Sequence, residues 1–184
     1  MLNNNTNSTT TNSIIKVAIT NLAAYNEGDL IYKWLELPAT QEEIENAYNA
    51  VKRSTRDEEF FISDYETNIN GLEIGEYESI EKLNELAEKF NELDECDRLI
   101  FEAYANYTDF EEVLEKLNNN ELEGYIYYGC DDMEDVAEQV VEAMGLLDQM
   151  PENLRYYFDF EAYGRDLDIE GTFVKLDDCI VQIY

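Results

Sequence analysis

The 184-residue chain has no histidine. That excludes a Ser-His-Asp triad and a Cys-His nucleophile pair, because each needs an imidazole to take the proton. Cysteine is scarce, with Cys96, Cys130 and Cys179 far apart and no CxxC. Without histidine or paired thiols, a zinc site has no ligand set. An odd number of thiols fits a reducing compartment. Positive charge is scarcer still, at 12 Lys and Arg against 43 Asp and Glu, a formal net charge of −31. Such a chain repels nucleic acid and anionic membrane surfaces. No apolar run approaches the ~18 residues of a membrane span, and no charged-then-apolar leader precedes the first strand. The expectation is a cytoplasmic protein. GxxxxGK[ST] and GxGxxG are both missing, so the usual phosphate cradles are absent.

What is present is a real core. Hydrophobic residues make up 45% of the chain, with 14 Tyr and 8 Phe. Disordered acidic chains lack such aromatics. The length suits one ordinary domain or two to three small ones. Solubility alone asks for a net charge of only about 2–8 in a small domain. The excess points to basic proteins or cations as partners. A halophile surface is the bland alternative, and the abundant Ile, Asn and Tyr argue against it.

Periodicity and punctuation predict an α+β fold built from three small subdomains in an elongated row. Residues 1–13, "MLNNNTNSTTTNS", form a polar tail with nothing to bury and are expected to be disordered. Residues 14–76 read as a ββαβ unit. Its strands are "IIKVAIT", "LIYKWLEL" and "EEFFISDYE", with a turn at "NLAAYNEGD" and a Thr40–Glu43 capping box opening the helix. Residues 77–120 read as helical, with caps at Ser79, Asp94 and Asp109 and an apolar stripe of Ile80, Leu83, Ala87 and Phe90. Residues 121–184 mix types. A strand "GYIYYG" precedes a helix opened by Asp131 and Glu134, and Pro151 starts another helix. "TFVKL" and "CIVQIY" make a terminal hairpin around Asp177 and Asp178.

The charge is most one-sided between Lys116 and Arg155, which enclose no Lys or Arg. Glu121, Glu123, Asp131, Asp132, Glu134, Asp135, Glu138, Glu142, Asp148 and Glu152 all lie in that gap. On a helix, Glu134, Glu138 and Glu142 line up about 6 Å apart. Like charges at this spacing cost about 0.2–0.5 kcal/mol per pair. A helix N-terminus excuses Asp131, Asp132 and Glu134 but not the rest. Another side, Met133, Val136, Ala137, Val140, Val141 and Met144, is the expected buried face. For any one acid, a solvated surface is the plainer reading. The helices before Lys116 are different, with bases at i,i+4 in Glu78–Lys82, Glu85–Lys89 and Glu112–Lys116. The bias is therefore regional.

Two other features compete for a role. "DLDIEGTFVKLD" (166–177) places acids and Gly171 as an EF-hand loop would, but a strand-like segment follows and Asp177 replaces the closing Glu. A simple turn is the better reading, and no metal site or other cofactor is assigned. Tyr156, Tyr157, Phe158, Phe160 and Tyr163 are more aromatics than one small core needs, so either a core or a dimer contact is expected there. Arg165 is expected to satisfy nearby acids such as Asp166 or Asp159. No catalytic residue is identified.

"NLAAYNEG", "ISDYE", "GCDDMEDVAEQVVEAMGLL", "MPENLRYYFDFEAYGRDL" and "GTFV", in this order and spacing, resemble the ArdA antirestriction family. The resemblance runs from about Val17 to Tyr184 and is weakest across the helical middle. It implies a DNA mimic, carried by mobile genetic elements such as conjugative transposons, that binds the modification core complex of Type I restriction–modification enzymes in place of DNA. It also implies three small domains and a homodimer joined through the C-terminal one, with no enzymatic activity. The charge is on the right scale: duplex DNA carries one negative charge per ~1.7 Å of axis, so 31 excess charges match roughly 53 Å of duplex. The ten acids above would then stand in for phosphates. Reading the chain as an acidic decoy or chaperone for other basic DNA-binding proteins is the alternative. A calcium-binding module on Asp166–Asp177 is a weaker one.

Overall fold

The computed structural model describes residues 13–54 and 58–184. The tail expected over 1–13 lies outside these residues, apart from Ser13. The fold is mixed α+β, as the sequence predicts, with two small three-stranded antiparallel sheets and eight α-helices among the described residues. The chain divides into two compact units. One comprises Met1–Ile69 with Ile74–Leu93, and the other Asn70–Glu73 with Asp94–Tyr184.

In the first unit, β1 (Ile15–Asn21) is the middle strand of the order β2-β1-β3, between β2 (Tyr32–Leu37) and β3 (Phe60–Thr67). Ile15, Val17, Ala18, Ile19, Thr20 and Asn21 are all buried, as a central strand requires. Only Lys16 reaches the surface, where it pairs with Glu36 at 3.5 Å and Glu66 at 3.7 Å on the flanking strands. An irregularity in the β1–β3 register between Val17 and Ile19 leaves one extra residue on β3. The stretch expected as a plain turn after β1 instead forms a short helix, α1 (Leu22–Asn26). Asn21 is the reason. Its side-chain oxygen accepts the Ala24 N–H at 2.8 Å, and its amide donates to the Val51 carbonyl at 3.0 Å. One buried amide thus caps α1 and ties down the end of α2 (Gln41–Val51). The Thr40–Glu43 capping box opens α2 as the sequence predicts. Its two hydrogen bonds to Thr40 hold the Glu43 carboxyl below the usual range. Ser79 caps α3 (Ile80–Glu92), which buries Leu86 beside the expected stripe.

In the second unit, α4 (Glu95–Tyr107) and α5 (Phe110–Asn119) start at Asp94 and Asp109 as predicted. Asp109 accepts the Glu112 N–H, but the Glu112 carboxylate takes the Thr108 hydroxyl instead of closing a box. The sheet runs β4-β6-β5, with β4 (Gly124–Tyr128) and β5 (Thr172–Lys175) flanking β6 (Cys179–Ile183). Alternation along the strands separates two faces. Tyr127 and Ile180 pack with Val136, Met133, Val140, Leu167 and Phe173 on the side of α6 (Met133–Met144) and α8 (Phe160–Glu170). Gly124 and its neighbours face α4, where a Cβ on Gly124 would lie 3.3 Å from the Ile100 side chain.

Three expectations are corrected here. The N-cap of α6 is Asp132, not Asp131, and the box closes through Asp135, not Glu134. Both patterns are legal in "DDMED". Asp132 takes the cap, its carboxylate accepting the Glu134 and Asp135 N–H groups at 2.9 and 3.2 Å. Met144 belongs to no buried face and is 61% exposed, because Gly145 ends the helix in a left-handed turn (φ +61°) just beyond it. The helix expected from Pro151 through Leu167 is broken. A single turn, α7 (Glu152–Arg155), stops, and Asp159 caps α8 afresh by accepting the Ala162 N–H at 2.9 Å.

The α6–α8 packing depends on Gly164. A Cβ there would sit 2.3 Å from the Met133 carbonyl oxygen, which is backbone and cannot turn away. Gly164→Ala should therefore cost about 1–3 kcal/mol, read as a lower urea midpoint at an unchanged slope. Asp132→Ala should cost about 0.5–2 kcal/mol, and Asp131→Ala clearly less. Equal costs for the two aspartates would contradict the capping assignment.

Candidate functional site

The acidic segment is assembled from the end of α5 to α7. Glu121 and Glu123 lead into β4, Asp131 and Asp132 into α6, and Asp148 lies in a 3-10 turn (Leu147–Gln149). All ten acids except Asp135 are exposed. Their situations differ. Asp135 is committed to the cap, its carboxylate accepting the backbone N–H groups of Asp131 and Asp132 at 2.7 and 3.4 Å. Asp132 accepts from Glu134 and Asp135. Asp148 is paired with Arg155 at 3.4 Å, and the same guanidinium donates to the carbonyls of Met150 and Asp148. Arg155, which closes the base-free interval, is therefore spent on fixing the loop after α6.

Glu134, Glu138 and Glu142 keep the spacing the sequence predicts, exposed in a row along α6 beside the face that buries Val136, Ala137 and Val141. Among the described residues no ion pair reaches them. The row is thus an uncompensated line of carboxylates on a rigid helix. Glu121, Glu123 and Glu152 are exposed on other elements. Among the described residues no group of three or more acidic or thiol ligands could hold a metal ion. Residues 166–170 are helical, so no EF-hand loop exists there. Arg165 pairs with Glu161 one turn back, at 4.0 Å, and not with the neighbours expected for it.

The aromatic stretch splits in two. Phe158 packs against Phe160 at 4.9 Å and Tyr163 at 5.8 Å, all half-buried. Tyr156 and Tyr157 are 92% and 80% exposed, edge to face at 6.2 Å. The first group packs on itself and is partly covered. The second has no core to serve.

The two buried thiols are not activated. Burial, reinforced by Asp135, Asp132 and Asp131, pushes Cys130 up, and burial and Asp178 push Cys179 up. The exposed Cys96 lies 3.5 Å from the Tyr128 hydroxyl, a contact that pushes the phenol up to about 12. A raised thiol is a poor nucleophile at neutral pH.

Sequence reading missed Glu102, half-buried on α4. It accepts the Asn70 N–H at 3.3 Å, and burial followed by Asp177 raises its carboxyl against the lowering effects of Asn70 and Arg98. Nothing in a helical "FEAYANY" marks one glutamate as inward-facing. The signal lies in Asn70 and Asp177, which are distant in sequence.

These features define a class: a small, strongly acidic α+β protein with a row of exposed carboxylates on one helix. Within it, the description "Antirestriction protein (ArdA)" fits residues 17–182, and the chain belongs to that family of restriction inhibitors. No curated protein matches the sequence. Among the described residues no helix is long and apolar enough to cross a membrane.

Glu102 gives a pH test. Its carboxyl titrates higher folded than unfolded, so its charge works against folding above the folded value, and that penalty fades as pH falls toward the unfolded value. Glu102→Gln, which keeps the Asn70 acceptor, should raise the melting temperature at pH 7. The advantage should shrink as pH falls through the carboxylate range. A gain that is flat with pH would exclude the electrostatic cause.

Proposed function

We propose that the protein is a DNA mimic that occupies the DNA-binding groove of a Type I restriction–modification enzyme, at its modification core complex, and so protects incoming mobile DNA. The observation that carries this reading is the line Glu134–Glu138–Glu142 together with its exposed neighbours, uncompensated on a folded and family-matched chain. A DNA groove is lined with Lys and Arg placed for phosphates. A rigid array of carboxylates meets it with little conformational entropy to lose. The acids act as a set, each exposed pair contributing about 0.2–1 kcal/mol.

In the same reading the chain works as a cytoplasmic homodimer. Tyr156 and Tyr157 supply exposed apolar contact, and Phe158, Phe160 and Tyr163 buttress them. A three-part organisation, 14–76, 77–120 and 121–184, is part of the same proposal. The reading as a decoy for other basic DNA-binding proteins shares the charge argument but not the family match.

The test is competition. Purified protein is added to a Type I methyltransferase core bound to labelled DNA carrying its recognition site. DNA should be released near stoichiometry, and release should weaken with salt. No release in large excess at low salt would overturn the proposal and favour the decoy. Glu138→Gln alone should shift the midpoint by less than about five-fold, and the triple change at Glu134, Glu138 and Glu142 by about ten-fold or more. A large loss from the single change would replace a distributed surface with a hot spot.

A further inference from the structure

In the second unit, α6 does not cover its sheet along its whole length. Strand alternation puts Tyr125, Tyr127 and Gln182 on the face that α6 packs against, and Tyr184 follows just beyond β6. Near the start of the helix, Val136 and Ala137 are fully buried. Toward its end the cover thins: Val140 is half-buried, and Ala143 and Met144 are exposed. The gap is an open wedge of about 700 Å³, with the three tyrosines on one side and the last turns of α6 on the other. That volume lies within the ~300–1,000 Å³ of clefts that take a bound group.

The polar groups around the wedge are engaged inside the protein. The hydroxyls of Tyr127 and Tyr184 donate to the Gln182 side-chain oxygen at 3.3 and 3.4 Å. The Gln139 amide donates to the Tyr128 carbonyl at 2.9 Å and to the Cys130 sulfur at 3.2 Å. What the wedge offers is ring surface, the methyls of Val140 and Ala143 and the Met144 thioether. Tyr125 meets Tyr127 edge to face at 4.8 Å and is 55% exposed, so part of its ring surface is open. Rings and thioether sulfur both favour an aromatic guest. Among the described residues one charged group lines the wedge: Glu142, the last carboxylate of the exposed row on α6. An anion is repelled by it, and a sugar finds its hydrogen-bond partners already taken. A second copy of the chain is disfavoured too, because an isologous contact through this patch would set Glu142 against its own counterpart. A group that is aromatic with a cation beside it answers both halves of the surface.

We propose that the wedge between Tyr125, Tyr184 and Met144 takes an aromatic side chain of the inhibited enzyme, from a segment whose adjacent Lys or Arg pairs with Glu142. The inference rests on the reading above for who presents the side chain, and on the wedge itself for what it binds. The row of carboxylates gives a contact that salt screens, and the wedge at its end adds one that salt does not.

The experiment has two arms. In the first, the full chain carries ¹³C-methyl methionine and is titrated at fixed ionic strength with 2-phenylethylammonium, which joins a ring to a cation. The Met144 methyl should shift saturably while those of Met133 and Met150 stay still. The uncharged 2-phenylethanol should bind about two- to five-fold more weakly, and ethylammonium, which has no ring, should not move Met144. Equal shifts at all methionines, or none at Met144, would overturn the site. In the second arm, Met144→Gln, at an exposed position and with good helix propensity, should leave the melting temperature unchanged. It should weaken competition against the DNA-bound methyltransferase core by about three- to thirty-fold at low and high salt alike. The triple change at Glu134, Glu138 and Glu142 should instead flatten the salt dependence. Unchanged competition by Met144→Gln, or a loss of self-association in sedimentation, would overturn the assigned occupant. If the probe binds at Met144 but the protein never displaces DNA, the wedge stands and the inhibitor reading fails. If DNA is displaced but the probe leaves Met144 unmoved, the reading stands and the wedge assignment fails.

Discussion

Carboxylate repulsion sets the terms on which this chain folds. With 43 acids and 12 bases, most negative charges cannot be paired. The fold makes structural use of some of them by placing them where backbone N–H groups need acceptors. Asp94, Asp109, Asp132 and Asp159 cap helices, and Glu43 and Asp135 close capping boxes. At these positions negative charge favours the helix. The rare bases are placed with similar economy. Lys16 serves both outer strands of its sheet, and Arg53 meets Glu27 at 2.6 Å and Asp29 at 3.8 Å. The acids left over can then face one way without unfolding the protein.

This division of labour explains why the surface is informative only as a whole. A capping aspartate and a phosphate-like glutamate look alike in sequence. In "DDMEDVAEQVVE", two aspartates are spent on the backbone, whereas Glu138 and Glu142 meet no ion-pair partner among the described residues. The aromatics divide in the same way. Phe158, Phe160 and Tyr163 pack together, and Tyr156 and Tyr157 remain outside.

Much of this was legible in the sequence. The strands of both sheets were, because β-branched and aromatic runs sit between turn residues. Four helix starts were, because an N-cap residue stands in front of an apolar stripe. The family was, from segments whose order is more specific than any one of them. What was not legible turns on contacts across the fold. Asn21 reads as a turn residue until the Val51 carbonyl is brought beside it. Asp131 and Asp132 are equivalent caps in sequence, and only the fold shows Asp132 accepting the first N–H groups. The break at Asp159 lies inside a stretch whose local pattern continues. Glu102 is one glutamate among many until Asn70 and Asp177 enclose it. Local chemistry offered alternatives in each case, and long-range packing chose among them.

Strand order has a genetic consequence. β6 follows every other element of its unit in the chain, yet it lies between β4 and β5 and supplies all their strand partners. The strand pairing of the first unit's sheet is complete at Thr67. A nonsense or frameshift lesion just after Lys175 would remove β6 and leave both remaining strands of the second sheet without a neighbour. Such lesions should behave as loss of the whole second unit, and a nascent chain cannot display a finished acidic helix until β6 has been made.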